Sequence, residues 1–138
     1  MTGTEIQCIV VTPEQTVCEK PAEFVAATLF DGEIGIAPGH TPLIGRLGYG
    51  ELRIRNGQQT DRFYIEGGFI EVVNNVVSLL THRAIPVDKL DLHALQQQID
   101  AAQNQSAASA ESKPARNEAL AQARAQLRVA QKSGQHAV

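Results

Sequence analysis

The chain has 138 residues, of which 20% are charged and 4% aromatic, with a formal net charge of −3 and two cysteines. That length suits one domain, or one domain with an appendage, and nothing in it is long and apolar enough to span a membrane. Net acidity and the lack of a basic cluster interleaved with aromatics set nucleic acid aside, and Cys8 and Cys18 are too few for a disulfide scaffold and lack Cys-x-x-Cys spacing.

Both cysteines fall in predicted strands and read as packed thiols. The N-terminus shows no basic patch followed by an apolar run, so neither a secretory signal nor a transit peptide is expected, and the chain reads as bacterial and cytosolic.

Residue usage changes after about residue 85. Ten of the eleven glycines lie at or before Gly68, and so do all six aromatics, Phe24, Phe30, Tyr49, Phe63, Tyr64 and Phe69. Beyond Pro86 the chain turns to Ala, Gln, Leu and Arg, mostly good helix formers. A β part over 1–86 and an α part over 87–138 are therefore expected.

Short β-rich runs bounded by turn residues follow one another at Ile6–Val11, Thr16–Glu19, Ala22–Ala27, Glu33–Ile36, Glu51–Arg55, Thr60–Glu66, Phe69–Val73 and Val76–Leu80. Such spacing predicts an antiparallel sandwich or barrel with a modest core, its aromatics placed for core packing. Asn74-Asn75 predicts a two-residue hairpin turn. Charged Glu51, Arg53 and Arg55 alternate with Leu52 and Ile54, which turns the charged side toward water or a partner. Gly67-Gly68 would weaken a flat strand and reads as a bulge or a close backbone approach. The trio Gly45, Gly48 and Gly50 lacks the Lys-Ser/Thr and the following helix that a phosphate loop needs.

The stretch Asp31-Gly32-Glu33-Ile34-Gly35-Ile36-Ala37-Pro38-Gly39-His40-Thr41-Pro42-Leu43 joins a turn, a short strand and a second turn. Proline presets φ and glycine accepts positive φ, so Glu33 and His40 should be held at fixed, exposed positions. A stiff polar turn of this kind suits docking.

In the α part, Leu92, Leu95, Ile99 and Ala102 fall at helical spacing, as do Leu120, Ala123, Leu127 and Ala130. Each set makes one narrow apolar stripe, so two amphipathic helices are predicted. The connection from Gln103 to Lys113 is long for a tight hairpin, and Ser112 and Pro114 suit the second helix start. Past Glu118 the charges are Arg124, Arg128 and Lys132, four apart, so one face is basic and can steer toward an acidic partner. The stripes mix large residues with Ala, which leaves docking near balance and makes a switchable arm a reading to set beside permanent docking.

No catalytic constellation is present. His40, His82, His93 and His136 are scattered, there is no His-x-x-x-His pair or nucleophile elbow, and Asp31 and Glu33 lie on a turn and a strand start. No catalytic residue and no metal ligand is assigned.

The signature from Asp31 to Leu43 closely resembles that of the epsilon subunit of bacterial F-type ATP synthases. Val10-Val11-Thr12-Pro13-Glu14-Gln15-Thr16-Val17, Ala22-Glu23-Phe24-Val25, Gly50-Glu51-Leu52-Arg53-Ile54-Arg55, Gly67-Gly68-Phe69-Ile70-Glu71-Val72 and Leu127-Arg128-Val129 resemble further segments of that family, in its order and over nearly the whole chain. The resemblance implies an N-terminal β-sandwich of about ten short strands followed by a two-helix hairpin. It implies a non-catalytic rotor subunit on the cytoplasmic side of the bacterial inner membrane, peripheral through its complex. Such a subunit grips the gamma subunit and the c-ring, and couples ion flow to ATP synthesis. Its helices reach the alpha/beta catalytic subunits and can restrain ATP hydrolysis.

By motif position Glu33 and His40 carry over to the c-ring face, and Arg124 and Arg128 to partner contact on the second helix. Some members bind ATP through the hairpin with an Ile/Leu-Asp-x-x-Arg motif and further arginines. Here Leu90-Asp91 is followed by Ala94 where that motif has Arg. Ala cannot supply the bidentate phosphate contact, which leaves Asp91, Arg116, Arg124 and Arg128 as an incomplete nucleotide set and no cofactor assigned. The segment Thr81-His82-Arg83-Ala84-Ile85-Pro86 departs from an acidic linker, and Pro86 makes it a defined elbow. The rival function is a stand-alone β-sandwich binding a small ligand, which would need aromatics exposed along a groove.

Overall fold

The computed structural model describes residues 5–104 and 112–136. They form two compact units divided between Pro86 and Val87.

The first unit is all β. Its strands are β1 (Ile6–Val11), β2 (Thr16–Ala22), β3 (Phe24–Leu29), β4 (Gly32–Ile36), β5 (Leu43–Asn56), β6 (Gln59–Glu66), β7 (Phe69–Val73), β8 (Val76–Leu80) and β9 (Ala84–Pro86). Two layers share β5. Its first residues, Leu43 to Arg46, pair with β7 in the layer β2-β1-β8-β7. From Tyr49 to Asn56 it pairs with β6, and with β3 it continues the layer β4-β3-β5-β6-β9. Alternation along the strands sends Ile6, Cys8, Val10, Val25, Ala27, Leu52, Ile54, Ile65, Ile70, Val72, Val77 and Leu79 into one core, all nearly solvent-free. Alternate residues of a strand face opposite sides, so the core follows from the period-two pattern.

The sandwich and the two helices that follow it agree with the expected fold class, and three details refine it. β1 runs parallel to β8, from Gln7 opposite Val76 to Val11 opposite Leu80. β5 is a 14-residue strand, although only Glu51–Arg55 carries an obvious strand pattern. β9 is a short edge of three residues.

The glycines that broke the β5 pattern serve its passage between layers. A Cβ on Gly48 would stand 2.7 Å from the Leu29 carbonyl oxygen, and one on Gly50 would overlap the Thr28 side chain. β3 and β5 approach closely there, which only a missing side chain permits. Asn74 and Asn75 both take positive φ, 51° and 63°, as a two-residue turn matched to strand twist requires.

The second unit contains a 3-10 turn at Val87–Lys89, α1 (Leu92–Asn104) and α2 (Ser112–His136). Ile99, Leu120 and Ala123 form its small core, with Ala102 and Leu127 packed against it. Leu95 is buried, whereas Leu92, placed on the same stripe by sequence, is 46% exposed. Most of the connection expected from Gln103 to Lys113, residues 105–111, lies outside the described residues.

Candidate functional site

The signature stretch folds as a rigid corner. The His40 amide donates to the Ala37 carbonyl at 3.2 Å, closing the Pro38-Gly39 turn. Gly39, at φ 84°, donates its amide to Asn75 Oδ1 at 2.7 Å, which ties this turn to the β7–β8 hairpin. His40 donates Nδ1–H to the Thr41 carbonyl at 2.7 Å. His40 thus presents a fixed ring on the connection from β4 to β5.

Glu33 lies on β4 with its side chain half exposed. Its Oε1 accepts from Arg53 Nη2 at 3.3 Å. Arg53 also donates Nη1 to Glu51 Oε1 at 3.0 Å, and Arg62 Nη1 reaches Glu51 Oε2 at 3.0 Å. Glu51 is only 4% exposed. The charged side of β5, expected to face water or a partner, is therefore partly closed into its own ion chain. Burial of Arg53 opposes its charge, but hydrogen bonding to Glu51 and the charges of Glu33 and Glu51 outweigh that, holding its pKa above the ordinary value.

The other layer exposes apolar side chains on its outer face. Phe69 sits opposite Leu80 and both are more than half exposed, as is Ile44. A cleft of about 310 Å³ is lined by Val11, Pro13, Phe69, Leu80 and His82. A second, of about 590 Å³, has Phe30, Tyr49 and Phe69 around a floor of Gly48, Gly67 and Gly68. Arg46 stands over the Phe30 ring at 4.6 Å. Of the six aromatics, mostly expected to pack inside, Phe63 packs against the core, Tyr64 is fully buried but opposite Glu51 on the other face of its layer, and Phe30 and Phe69 are exposed. β-propensity could not separate the two outcomes, since aromatics suit either face of a sheet.

In the second unit, Asp91 Oδ1 accepts the amides of His93 and Ala94 at 3.0 and 3.1 Å and so caps α1. Arg116 donates Nε to the Ala102 carbonyl at 2.8 Å and Nη2 to the Gln103 carbonyl at 3.4 Å, covering the last carbonyls of α1. Two of the four residues in the incomplete nucleotide set thus hold helix ends. Arg124, Arg128 and Lys132 are all exposed on α2. Among the described residues no group of three or more His, Cys, Asp or Glu could hold a metal ion, and no helix is long and apolar enough to cross a membrane.

Residues 5–87 match the family model described as ATP synthase, Delta/Epsilon chain, beta-sandwich domain. The chain is 43% identical over 123 residues to the ATP synthase epsilon chain of Rhodopirellula baltica, covering 89% of this chain and 96% of that one. It is 39% identical over 84 residues to the epsilon chain of Bacillus thuringiensis, covering 61% and 63% of the two chains. A chain in the mitochondrial ATP synthase of Euglena gracilis, solved as OSCP, F1 and c-ring, has a similar fold. Its TM-score is 0.75 at 21% identity, covering 98% of this chain and 82% of that one. The fold also matches one in the central stalk and c-ring of the Tetrahymena thermophila mitochondrial ATP synthase, with a TM-score of 0.65 at 16% identity over 96% and 98% of the chains. The sandwich and the helices after it agree with these matches, and the chain belongs to the ATP synthase delta/epsilon chain family.

Proposed function

We propose that this protein is a non-catalytic subunit of the rotor of an F-type ATP synthase, coupling ion flow through the membrane ring to ATP synthesis. The observation that carries the reading is the 43% identity to an epsilon chain, which extends over 96% of that relative's length. The chains of similar fold belong to an OSCP, F1 and c-ring assembly in one case and to a central stalk and c-ring in the other. The exposed apolar face around Phe69, Leu80 and Ile44 suits the gamma subunit, because an interface centre needs desolvated apolar side chains. Glu33 and His40 on the rigid corner suit the polar loops of the c-ring at a wet interface. The protein is then peripheral, held at the bacterial inner membrane on its cytoplasmic side through the complex.

The second unit is proposed as the arm that restrains ATP hydrolysis, with Arg124 and Arg128 meeting the alpha/beta catalytic subunits. No cofactor is assigned. ATP sensing is disfavoured because Ala94 removes a phosphate ligand while Asp91 and Arg116 already serve helix ends. Adding the full chain, and separately residues 1–86, to an ATP-hydrolysing core stripped of this subunit tests the assignment. Both should bind, and only the full chain should inhibit. If neither binds, the rotor reading fails.

A small-ligand module is the second reading, favoured by the aromatic-walled cleft between Phe30, Tyr49 and Phe69. Aromatic rings over a glycine floor also form the centres of protein interfaces. Substituting Phe69→Ser separates the two, since the rotor reading expects weaker binding to the stripped core.

A further inference from the structure

The charged chain on the outer face of the β4-β3-β5-β6 layer is built across three strands. Glu33 is on β4, Arg53 and Glu51 on β5, and Arg62 on β6, directly opposite Arg53. β3 lies between β4 and β5, so Arg53 must reach over it to meet Glu33. The residue it passes is Ala26, which pairs with Arg53 on one side and Gly35 on the other and is 2% exposed. Ala26 is small enough to leave the guanidinium room above it, while the space over Gly35 is filled by the Phe24 ring, whose Cζ would stand 2.7 Å from a Cβ there. Thr28, next along β3, binds the Glu51 backbone through its hydroxyl, accepting from the amide at 3.1 Å.

The two ends of the chain differ in what they can do. Glu51 is buried and carries an arginine on each oxygen, so Arg53 is held from within the sheet. Glu33 is half exposed and its contact with Arg53 runs through Oε1. A glutamate on an exposed strand loses considerable rotamer entropy when it docks, and an arginine that already holds it removes part of that cost.

We propose that Arg53 is a positioning residue that fixes the Glu33 carboxylate for its contact with the ring, and that Glu51 in turn fixes Arg53. The proposal rests on the reading of Glu33 as ring-facing. It deepens that reading, because a surface that presents Glu33 already neutralised by Arg53 selects a polar, hydrogen-bonding loop over a strongly basic one.

Two measurements on the full chain test it. The first is affinity for a purified gamma–c-ring subcomplex from the matching ATP synthase, for the parent and for E33Q, R53Q, R53K and the E33Q/R53Q double variant. R53Q should weaken binding roughly two- to fivefold, the range of partly exposed ion pairs. It should have no further effect in the E33Q background, and R53K should recover part of the loss. The second is side-chain ¹³C relaxation at Glu33 in the isolated protein, where R53Q and E51Q should both raise its mobility while Val72 and Leu79, in the other layer, keep their amide shifts.

If E33Q binds as tightly as the parent, Glu33 is not at the ring and the functional reading of that residue falls. If E33Q weakens binding but R53Q does not, or R53Q costs as much without Glu33 as with it, positioning by Arg53 is overturned. An unchanged Glu33 relaxation in both R53Q and E51Q overturns it independently of the ring.

Discussion

Replacing Gly68 with alanine should be the most damaging single-methyl change in the sandwich. Gly68 has φ 97°, and a Cβ there would overlap the Leu80 carbonyl oxygen outright, with the Leu80 carbonyl carbon at 2.8 Å and the Thr81 Cα at 2.9 Å. All three atoms are backbone, so no flexible side chain can yield. The same residue accepts the Leu47 amide at 2.8 Å, where β5 passes from one layer to the other. Positive φ costs an L-residue about 1–2 kcal/mol, and forcing a methyl into a filled site costs about 1–3 kcal/mol more. The sum, roughly 2–5 kcal/mol, is a large fraction of the about 5–15 kcal/mol that holds a typical domain. Gly57 supplies the control, since its φ is 65° but nothing lies within 4 Å of its missing Cβ. Gly57→Ala should therefore show only the backbone cost of about 1–2 kcal/mol. Urea unfolding of both variants measures the difference. Equal losses at the two positions would refute the steric argument.

The tie from Asn75 to the signature corner gives a second prediction. Asn75→Gly keeps the positive-φ turn but removes the acceptor of the Gly39 amide, so exchange at Gly39 should speed about fivefold, the worth of one hydrogen bond of about 1 kcal/mol. Unaltered exchange would show that the corner is rigid without the tie. Cys8 sets a pH dependence: burial, with a smaller contribution from Cys18, pushes its thiol up to about 12 from an ordinary 9.0. The folded state thus holds that proton more tightly than the unfolded one. The stabilisation is whole below about pH 9 and is lost as pH climbs toward 12, at up to about 1.4 kcal/mol per pH unit. Cys8→Ala should flatten the stability curve above pH 9 relative to the parent, and parallel curves would contradict the burial argument. In the second unit, Ile99→Ala removes one of the two large side chains of a small core and should cost the hairpin about 2–4 kcal/mol. Hydrogen exchange should then rise in α1 and α2 with the sandwich amides unchanged.

Local chemistry made much of the sandwich legible. β1, β7 and β8 coincide with their predicted runs because alternation and flanking turn residues mark both ends. Asn74-Asn75 and Gly67-Gly68 were readable because positive φ and a missing Cβ are properties of those residue types themselves. β5 escaped because its first half is interrupted by glycines that matter only where β3 passes close by, a contact with no local trace. The parallel pairing of β1 with β8 joins strands some 70 residues apart in sequence, and period-two patterning carries no information on direction.

The candidate site divides in the same way. The exposure of Glu33 followed from turn chemistry, His40 is held on its turn but only partly exposed, and the burial of Glu51 was not legible. Alternation put Glu51 on the charged side of its strand, and only the register that brings Arg62 opposite Arg53 gives it two partners. Asp91 and Arg116 matched a nucleotide pattern by residue type. Their roles at the ends of α1 became apparent only with helix bounds in place, although Asp91 just before an apolar-periodic run is itself an N-cap signal.

The most direct test of the rotor assignment is ATP-driven ion pumping in membrane vesicles whose ATP synthase has been stripped of its epsilon subunit and reconstituted with this chain. Restored pumping per ATP hydrolysed, with the isolated chain hydrolysing none, is the predicted result. Vesicles that bind the chain no better than an unrelated sandwich, and that pump no better with it than without it, would contradict the assignment.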